Sequence, residues 1–140
     1  MGRVETFDHT ADLGLRIHAA DLPDLFRAAA EGLFDIIAAN REDVRPEQTE
    51  TVRLTADSTP ELLVDWLNEL IFRSETEHRL YGRFDVALDP DGRVLDAVIH
   101  GEPIDPDRHV LDHEVKAATH HRMTLDRDAD GWVAEVILDI

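Results

Sequence analysis

Two stretches of this 140-residue sequence begin as α-helices begin, and most of the remaining chain alternates as β-strands do. At Asp21-Leu22-Pro23-Asp24, Asp21 suits the N-cap and the proline is tolerated in a first turn. At Ser58-Thr59-Pro60-Glu61, the serine and the glutamate have the spacing of a capping box. Apolar residues then recur at three- and four-residue intervals, which predicts two amphipathic helices.

Short alternating runs surround these helices and predict strands over residues 3–9, 14–20, 51–56, 84–88, 94–101, 115–125 and 132–140. The turns Asp89-Pro90-Asp91-Gly92 and Asp128-Ala129-Asp130-Gly131 predict two hairpins. The pattern contains no internal repeat and no linker. We therefore predict one α+β domain over residues 1–140, a sandwich of two main helices packed on a largely antiparallel sheet.

The composition narrows the class of protein. The absence of cysteine excludes a disulfide framework and thiolate metal sites, and it favours a cytoplasmic location. The sequence contains no apolar run of membrane-spanning length, and its first residues do not resemble a signal peptide. We therefore expect no association with a membrane.

Acidic residues are spread over the whole chain. The net charge is −17, from 31 acidic and 14 basic residues, and both halves of the sequence are acidic. Such a surface repels nucleic-acid phosphates, so we expect no direct tight binding of RNA or DNA. It suits a basic protein face or cations. The use of arginine with a single lysine, Lys116, is a pattern that fits a salt-loving host.

The densest group of reactive side chains is the run from Phe7 to Gly14, which we interpret as a loop between two strands. Its carboxylates, Asp8 and Asp12, would suit Ca²⁺ or Mg²⁺ if they converge. The simpler alternative is that they cap backbone N–H groups in a turn. At the other end of the chain the strand pattern continues through Asp139 and Ile140, so their carboxylate and carbonyl oxygens join the same site if the last strand lies near the first.

Late histidines offer a second possibility, because His100, His109, His113, His120 and His121 cluster in the sequence. With Asp8 and Asp12 they would form the active site of a metal-dependent hydrolase, and with His9 they would form a zinc site. Their spacing matches neither a helical zinc motif nor one face of a strand. A calcium-binding or chaperone-like module is a third possibility.

Several motifs together resemble the archease family. They are Asp8-His9-Thr10-Ala11-Asp12-Leu13-Gly14, residues 25–33, Trp66-Leu67-Asn68-Glu69-Leu70, residues 115–121 and residues 131–140. They occur in the family's order and span nearly the whole chain. One departure is His120, at a position where the family usually has an aromatic residue.

The resemblance implies a protein cofactor and not an enzyme that acts alone. Archeases assist the GTP-dependent RNA ligase of the RtcB type, which joins RNA ends in tRNA splicing and RNA repair. They promote guanylylation of the ligase histidine and multiple turnover. The family's divalent-cation site (Ca²⁺ or Mg²⁺) maps onto Asp12, Asp139 and Ile140, with Asp8 nearby. The surface expected to meet the ligase consists of His9, Asn68, Glu69, Lys116, Thr119 and His121.

Overall fold

The computed structural model describes residues 2–9 and 12–140, without the side chains of Asp8 and His9. One 3-10 turn covers Arg41–Asp43. The strands and helices are β1 (Arg3–His9), β2 (Asp12–Ala19), α1 (Leu22–Ile37), β3 (Gln48–Thr55), α2 (Thr59–Glu77), β4 (Arg79–Leu88), β5 (Val94–Pro103), β6 (Ala117–Asp128) and β7 (Gly131–Asp139).

The strands form two sheets, and the helices lie between them. One sheet has the order β1-β2-β7-β6 and the other β3-β5-β4, with antiparallel neighbours in both. Helix α1 packs on β2 and β4, which belong to different sheets, and α2 packs mainly on β6. The predicted α+β sandwich is confirmed, with the sheet divided in two so that each helix has apolar partners on opposite sides.

Helix α1 begins as its sequence predicts, since the Asp21 carboxylate accepts a hydrogen bond from the Asp24 N–H at 2.9 Å. Its burial differs from the predicted single stripe. Ala28, Ala29 and Ala30 are all buried, although successive residues point in different directions around a helix. These small side chains let α1 fit between two sheets, which is why its apolar residues extend beyond one face.

Helix α2 begins at the predicted serine cap, where the Ser58 hydroxyl accepts from the Glu61 N–H at 3.3 Å. The Glu61 carboxylate accepts from the Asp57 N–H at 3.2 Å, one residue before the position that a capping box predicts. The buried Trp66 indole donates to the Phe26 carbonyl of α1 at 3.0 Å, and this bond fixes one helix against the other.

Strand boundaries differ most from the predictions where the strands are polar or irregular. Strand β3 begins at Gln48 and β4 at Arg79, earlier than the sequence predicts. The prediction missed the first residues of both strands, because these segments are mostly exposed or mix exposed and buried residues. Residues 115–125 were predicted to alternate continuously, which is wrong because the pairing of β6 with β7 shifts between Thr119 and Thr124. Within that segment Arg122 has φ 60°, a left-handed conformation that interrupts an extended strand. Among the described residues, no helix is long and apolar enough to cross a membrane.

Candidate cation and docking site

The pairing of β2 with β7 places two carboxylates side by side. Asp12 lies directly opposite Asp139, and His9 of β1 lies opposite Asp12 on its other side. Residues directly opposite in an antiparallel pair share a face, with Cβ atoms about 4.5–5.5 Å apart. The expected meeting of the last strand with the N-terminal motif is therefore seen in the backbone register. The neighbour of β7 is β2, and β1 lies beyond it.

The N-terminal motif is mostly strand, which corrects its interpretation as a loop. Phe7 lies in β1, while Asp12 and Gly14 lie in β2. Between these strands, Thr10 and Ala11 lie outside the described residues. The backbone of Asp12 thus lies at the start of a strand ladder, and the alternative that Asp8 and Asp12 cap backbone N–H groups in a turn stays open.

Steric packing explains why the N-terminal motif has glycine at position 14. The Phe7 ring lies over Gly14, its partner in the ladder, and any Cβ at Gly14 would overlap that ring. The same ring carries the Arg16 guanidinium 5.0 Å from its centroid, and Arg16 also binds Glu135 at 2.6 Å. Two positions beyond Asp12, the surface is therefore an ordered stack of Gly14, Phe7 and Arg16. It supports the strands that carry the acid pair.

The acid pair fits a divalent cation in its chemistry. Two facing carboxylates destabilise an antiparallel pair unless positive charge lies nearby, and hard cations prefer oxygen ligands. Ile140 follows Asp139 directly and is half-buried, so its backbone carbonyl is a further oxygen near the pair. The Asp8 backbone pairs with Leu13, and its side chain lies outside the described residues. Within the described part of the chain, no group of three or more His, Cys, Asp or Glu residues is arranged to hold a metal ion.

Asn68 of α2 fixes the strand that flanks the acid pair. Its side-chain amide donates to the Ala118 carbonyl at 3.0 Å, and its amide oxygen accepts from the Ala118 N–H at 2.8 Å. Asn68 thus binds the outer edge of β6 as a neighbouring strand would. Beside it, the Lys116 N–H donates to the Asp139 carbonyl at 2.8 Å. These bonds hold α2, the start of β6 and the end of β7 together.

The other residues predicted to meet a partner make separate local contacts. Glu69 binds Arg73 at 2.7 Å. The Thr119 hydroxyl accepts from the N–H of the exposed His121 at 3.1 Å, within the irregular part of β6. The His9 backbone is next to Asp12, but its side chain lies outside the described residues. The roles of these residues in partner binding stay predictions.

The late histidines are dispersed among different contacts. His100 binds Asp85 at 2.8 Å, and His109 is buried against Glu102 at 2.9 Å. His113 lies 3.7 Å from Asp112. In the described structure they form no common group with Asp12, so nothing in their arrangement supports the hydrolase or the zinc site.

A buried polar cluster around Glu102 was not predicted. The Glu102 carboxylate is bound by the Arg108 guanidinium, by the Arg45 N–H at 2.7 Å and by His109. Burial alone raises the pKa of Glu102, but these three hydrogen bonds outweigh it and hold the pKa at about 2. The Asp105 N–H donates to His109 Nδ1 at 2.8 Å, which places the imidazole proton on Nε2, facing Glu102. The cluster fixes the long segment between β5 and β6.

We expect Asn68→Ala to lower the free energy of unfolding by about 2 kcal/mol, because two hydrogen bonds are lost and the polar groups of Ala118 keep no protein partner there. Urea unfolding followed by circular dichroism measures the change. Asp65→Ala on the same helix is the matched control and should change stability by less than about 0.5 kcal/mol. Equal stability of the two variants would contradict the bridging role of Asn68.

The fold and this site define a class: an α+β sandwich of two sheets with an acid pair where β2 meets β7. Over residues 5–140 the sequence matches the Archease protein family (MTH1598/TM1083). The chain belongs to the archease family. The archease of Methanopyrus kandleri is 39% identical over 138 residues, which cover 97% of this chain and 98% of the relative. That of Pyrococcus abyssi is 34% identical over 143 residues and 100% of both chains.

Solved structures agree with this assignment. The solution structure of Methanobacterium thermoautotrophicum protein 1598 has a TM-score of 0.83 and 36% identity, covering 98% of each chain. The crystal structure of an archease from Thermotoga maritima, described as a possible chaperone, has a TM-score of 0.65 and 17% identity over 97% of this chain and 96% of its own. The second likeness shows the shared fold.

Proposed function

We propose that this protein is a cofactor that activates a GTP-dependent RNA ligase of the RtcB type in tRNA splicing and RNA repair. It promotes guanylylation of the ligase histidine and multiple turnover. The single observation that carries the proposal is the register of β2 and β7, which sets Asp12 opposite Asp139 in a chain of the archease family. Both residues belong to the motifs on which the resemblance to that family depends.

The charge of the chain suits a protein partner that binds RNA. A ligase needs a basic surface for its RNA, and a body with a net charge of −17 is attracted to such a surface. The acidic body does not compete for RNA, because it repels phosphate. Docking that favours one ligase conformation would then speed a step without any reaction on this chain.

Asp12 and Asp139 would hold the divalent cation, together with the carbonyl of Ile140. When bound, Ca²⁺ or Mg²⁺ would neutralise the facing carboxylates and fix the end of β7. The chain's own contribution is positional: Asn68 and the Lys116 N–H fix β6 against Asp139, and Gly14 under Phe7 keeps β2 in place. The acid pair is thereby presented on a rigid surface to the partner.

The test is RNA end joining by the cognate ligase, present at about one-tenth of the RNA concentration, with and without this protein. We expect ligase alone to stop near one product per enzyme, and the added chain to allow at least about tenfold more because each ligase is guanylylated again. Equal yields with and without the chain would overturn the proposal. Hydrolysis of nucleotides or phosphoesters by the chain alone would favour an enzyme instead.

A further inference from the structure

An apolar groove opens beside the site, between the C-terminal half of α2 and the segment that leads into β6. Its volume is about 350 Å³. Ile71 and Val115 line it and are nearly buried, and Leu80 behind them is fully buried. Leu111 also lines the groove and is 54% exposed. The groove is thus a concave apolar surface with one large exposed apolar side chain, Leu111, at its margin.

The backbone on either side of Leu111 is held in place by hydrogen bonds. The Val110 carbonyl accepts from the Ala39 N–H at 2.8 Å, and the Asp112 N–H donates to the Ile37 carbonyl at 2.8 Å. Asn40 adds a side-chain bond to the Val110 N–H at 2.9 Å. These bonds pair the segment with the C-terminal end of α1. Leu111 is therefore fixed at the surface, and a partner would not have to order it on binding.

The rim of the groove is acidic. Of the described residues that line it, Glu75, Asp112 and Glu114 are acidic, and none is arginine or lysine. The other titratable residues that line it are His78 and His113. A second copy of this chain would bring its own net charge of −17 to the rim and be repelled. The charge therefore favours a basic occupant.

We propose that this groove seats a segment of the partner ligase that carries one or two large apolar side chains flanked by arginine or lysine. The inference rests on the proposed function for the identity of the partner. It follows from the geometry because Val115 lines the groove and the next residue, Lys116, binds the Asp139 carbonyl. A partner bound at the acid pair therefore also lies next to the groove. The groove then provides a second contact, which determines the affinity of this chain for the partner.

Two variants test the groove without touching the core. Leu111→Ser removes an exposed apolar contact, and Glu75→Lys reverses one charge of the rim. Val98→Ser, on the outer face of the three-stranded sheet, and Asp91→Lys, in the turn between β4 and β5, are matched controls far from it. The readouts are the chain concentration that half-saturates ligase activation, and the maximal turnover.

We expect Leu111→Ser to raise the half-saturating concentration about tenfold, as losing one buried leucine contact predicts, with maximal turnover unchanged. Glu75→Lys should raise it about fivefold, with a smaller effect at high salt. The controls should stay within about twofold of the wild type. If both groove variants match the controls while the wild type activates, the groove proposal is overturned and the proposed function stands. If the wild type itself fails to activate, both fall.

Photo-crosslinking identifies the occupant. With benzoylphenylalanine installed at position 111, which lines the groove, irradiation of the complex with the ligase should join this chain to a ligase peptide that contains arginine or lysine beside a large apolar residue. Crosslinks between two copies of this chain, or to a ligase peptide without basic residues, would overturn the proposal.

Discussion

The Asp12→Asn variant is expected to lose most of the thermal stabilisation that Ca²⁺ or Mg²⁺ gives the wild type. A ligand at one hundred times its Kd stabilises the folded state by about 2.7 kcal/mol, equivalent to roughly 10 °C in the melting temperature of a domain of this size. In the presence of a chelator the difference between the two proteins should become much smaller, because the metal is absent from both and the variant also lacks the repulsion between Asp12 and Asp139.

Scanning calorimetry at fixed ionic strength measures both conditions, with Asp139→Asn as a second test of the pair. Asp91→Asn, in the distant β4–β5 turn, removes an equal charge and should keep the wild-type response to divalent ions. Monovalent salt should stabilise all of these proteins alike, because it screens the acidic surface as a whole. If wild type and Asp12→Asn melt together across a divalent titration, the acid pair is not the cation site.

Glu102→Ala is expected to lower the free energy of unfolding by about 3 kcal/mol, the low end of the cost of removing one partner from a buried ion pair. The substitution leaves Arg108 without its buried carboxylate and takes the acceptor from His109 Nε2 and the Arg45 N–H. Urea unfolding at pH 7 measures the effect. The neighbouring exposed Glu47, replaced by alanine, should change stability by less than about 0.5 kcal/mol.

The dependence on pH separates charge from packing at Glu102. Its pKa is about 2 in the folded protein, below its ordinary value of 4.5, so its ionised form stabilises the fold fully above pH 4.5. That contribution is lost as the pH falls toward 2. The stability difference between wild type and Glu102→Gln should therefore be largest at neutral pH and shrink between pH 4.5 and 2. A difference that is independent of pH would contradict the ionic role.

Patterns local in sequence predicted the helices well. The caps at Asp21 and Ser58 are made by atoms within four residues of each other, so they can be predicted from short stretches. The division into two sheets depends on which strands pair across the chain. The alanines of α1 are packed on two sides only because β2 and β4 enclose the helix. No local pattern in the sequence predicts that enclosure.

The candidate site shows the same contrast. Asp12 and Asp139 were expected to meet if the last strand lay near the first, and the register of β2 with β7 places them opposite each other. The bond between Asn68 and Ala118 spans 50 residues, and Glu102 meets His109 only because the intervening segment folds back. Such bonds between a side chain and a distant backbone or buried group have no periodic pattern, and they require the tertiary structure.

The shifted pairing of β6 has a consequence for the protein at high concentration. Strand β6 is an outer strand, whose unpaired backbone groups would otherwise offer a template on which another molecule could add a strand. The break between Thr119 and Thr124, with the turned backbone at Arg122, leaves only short regular stretches on either side. Asn68 already occupies one of them at Ala118. This margin therefore discourages the addition of a strand from another molecule, and, because it does so through the backbone, the effect persists where salt screens the charge.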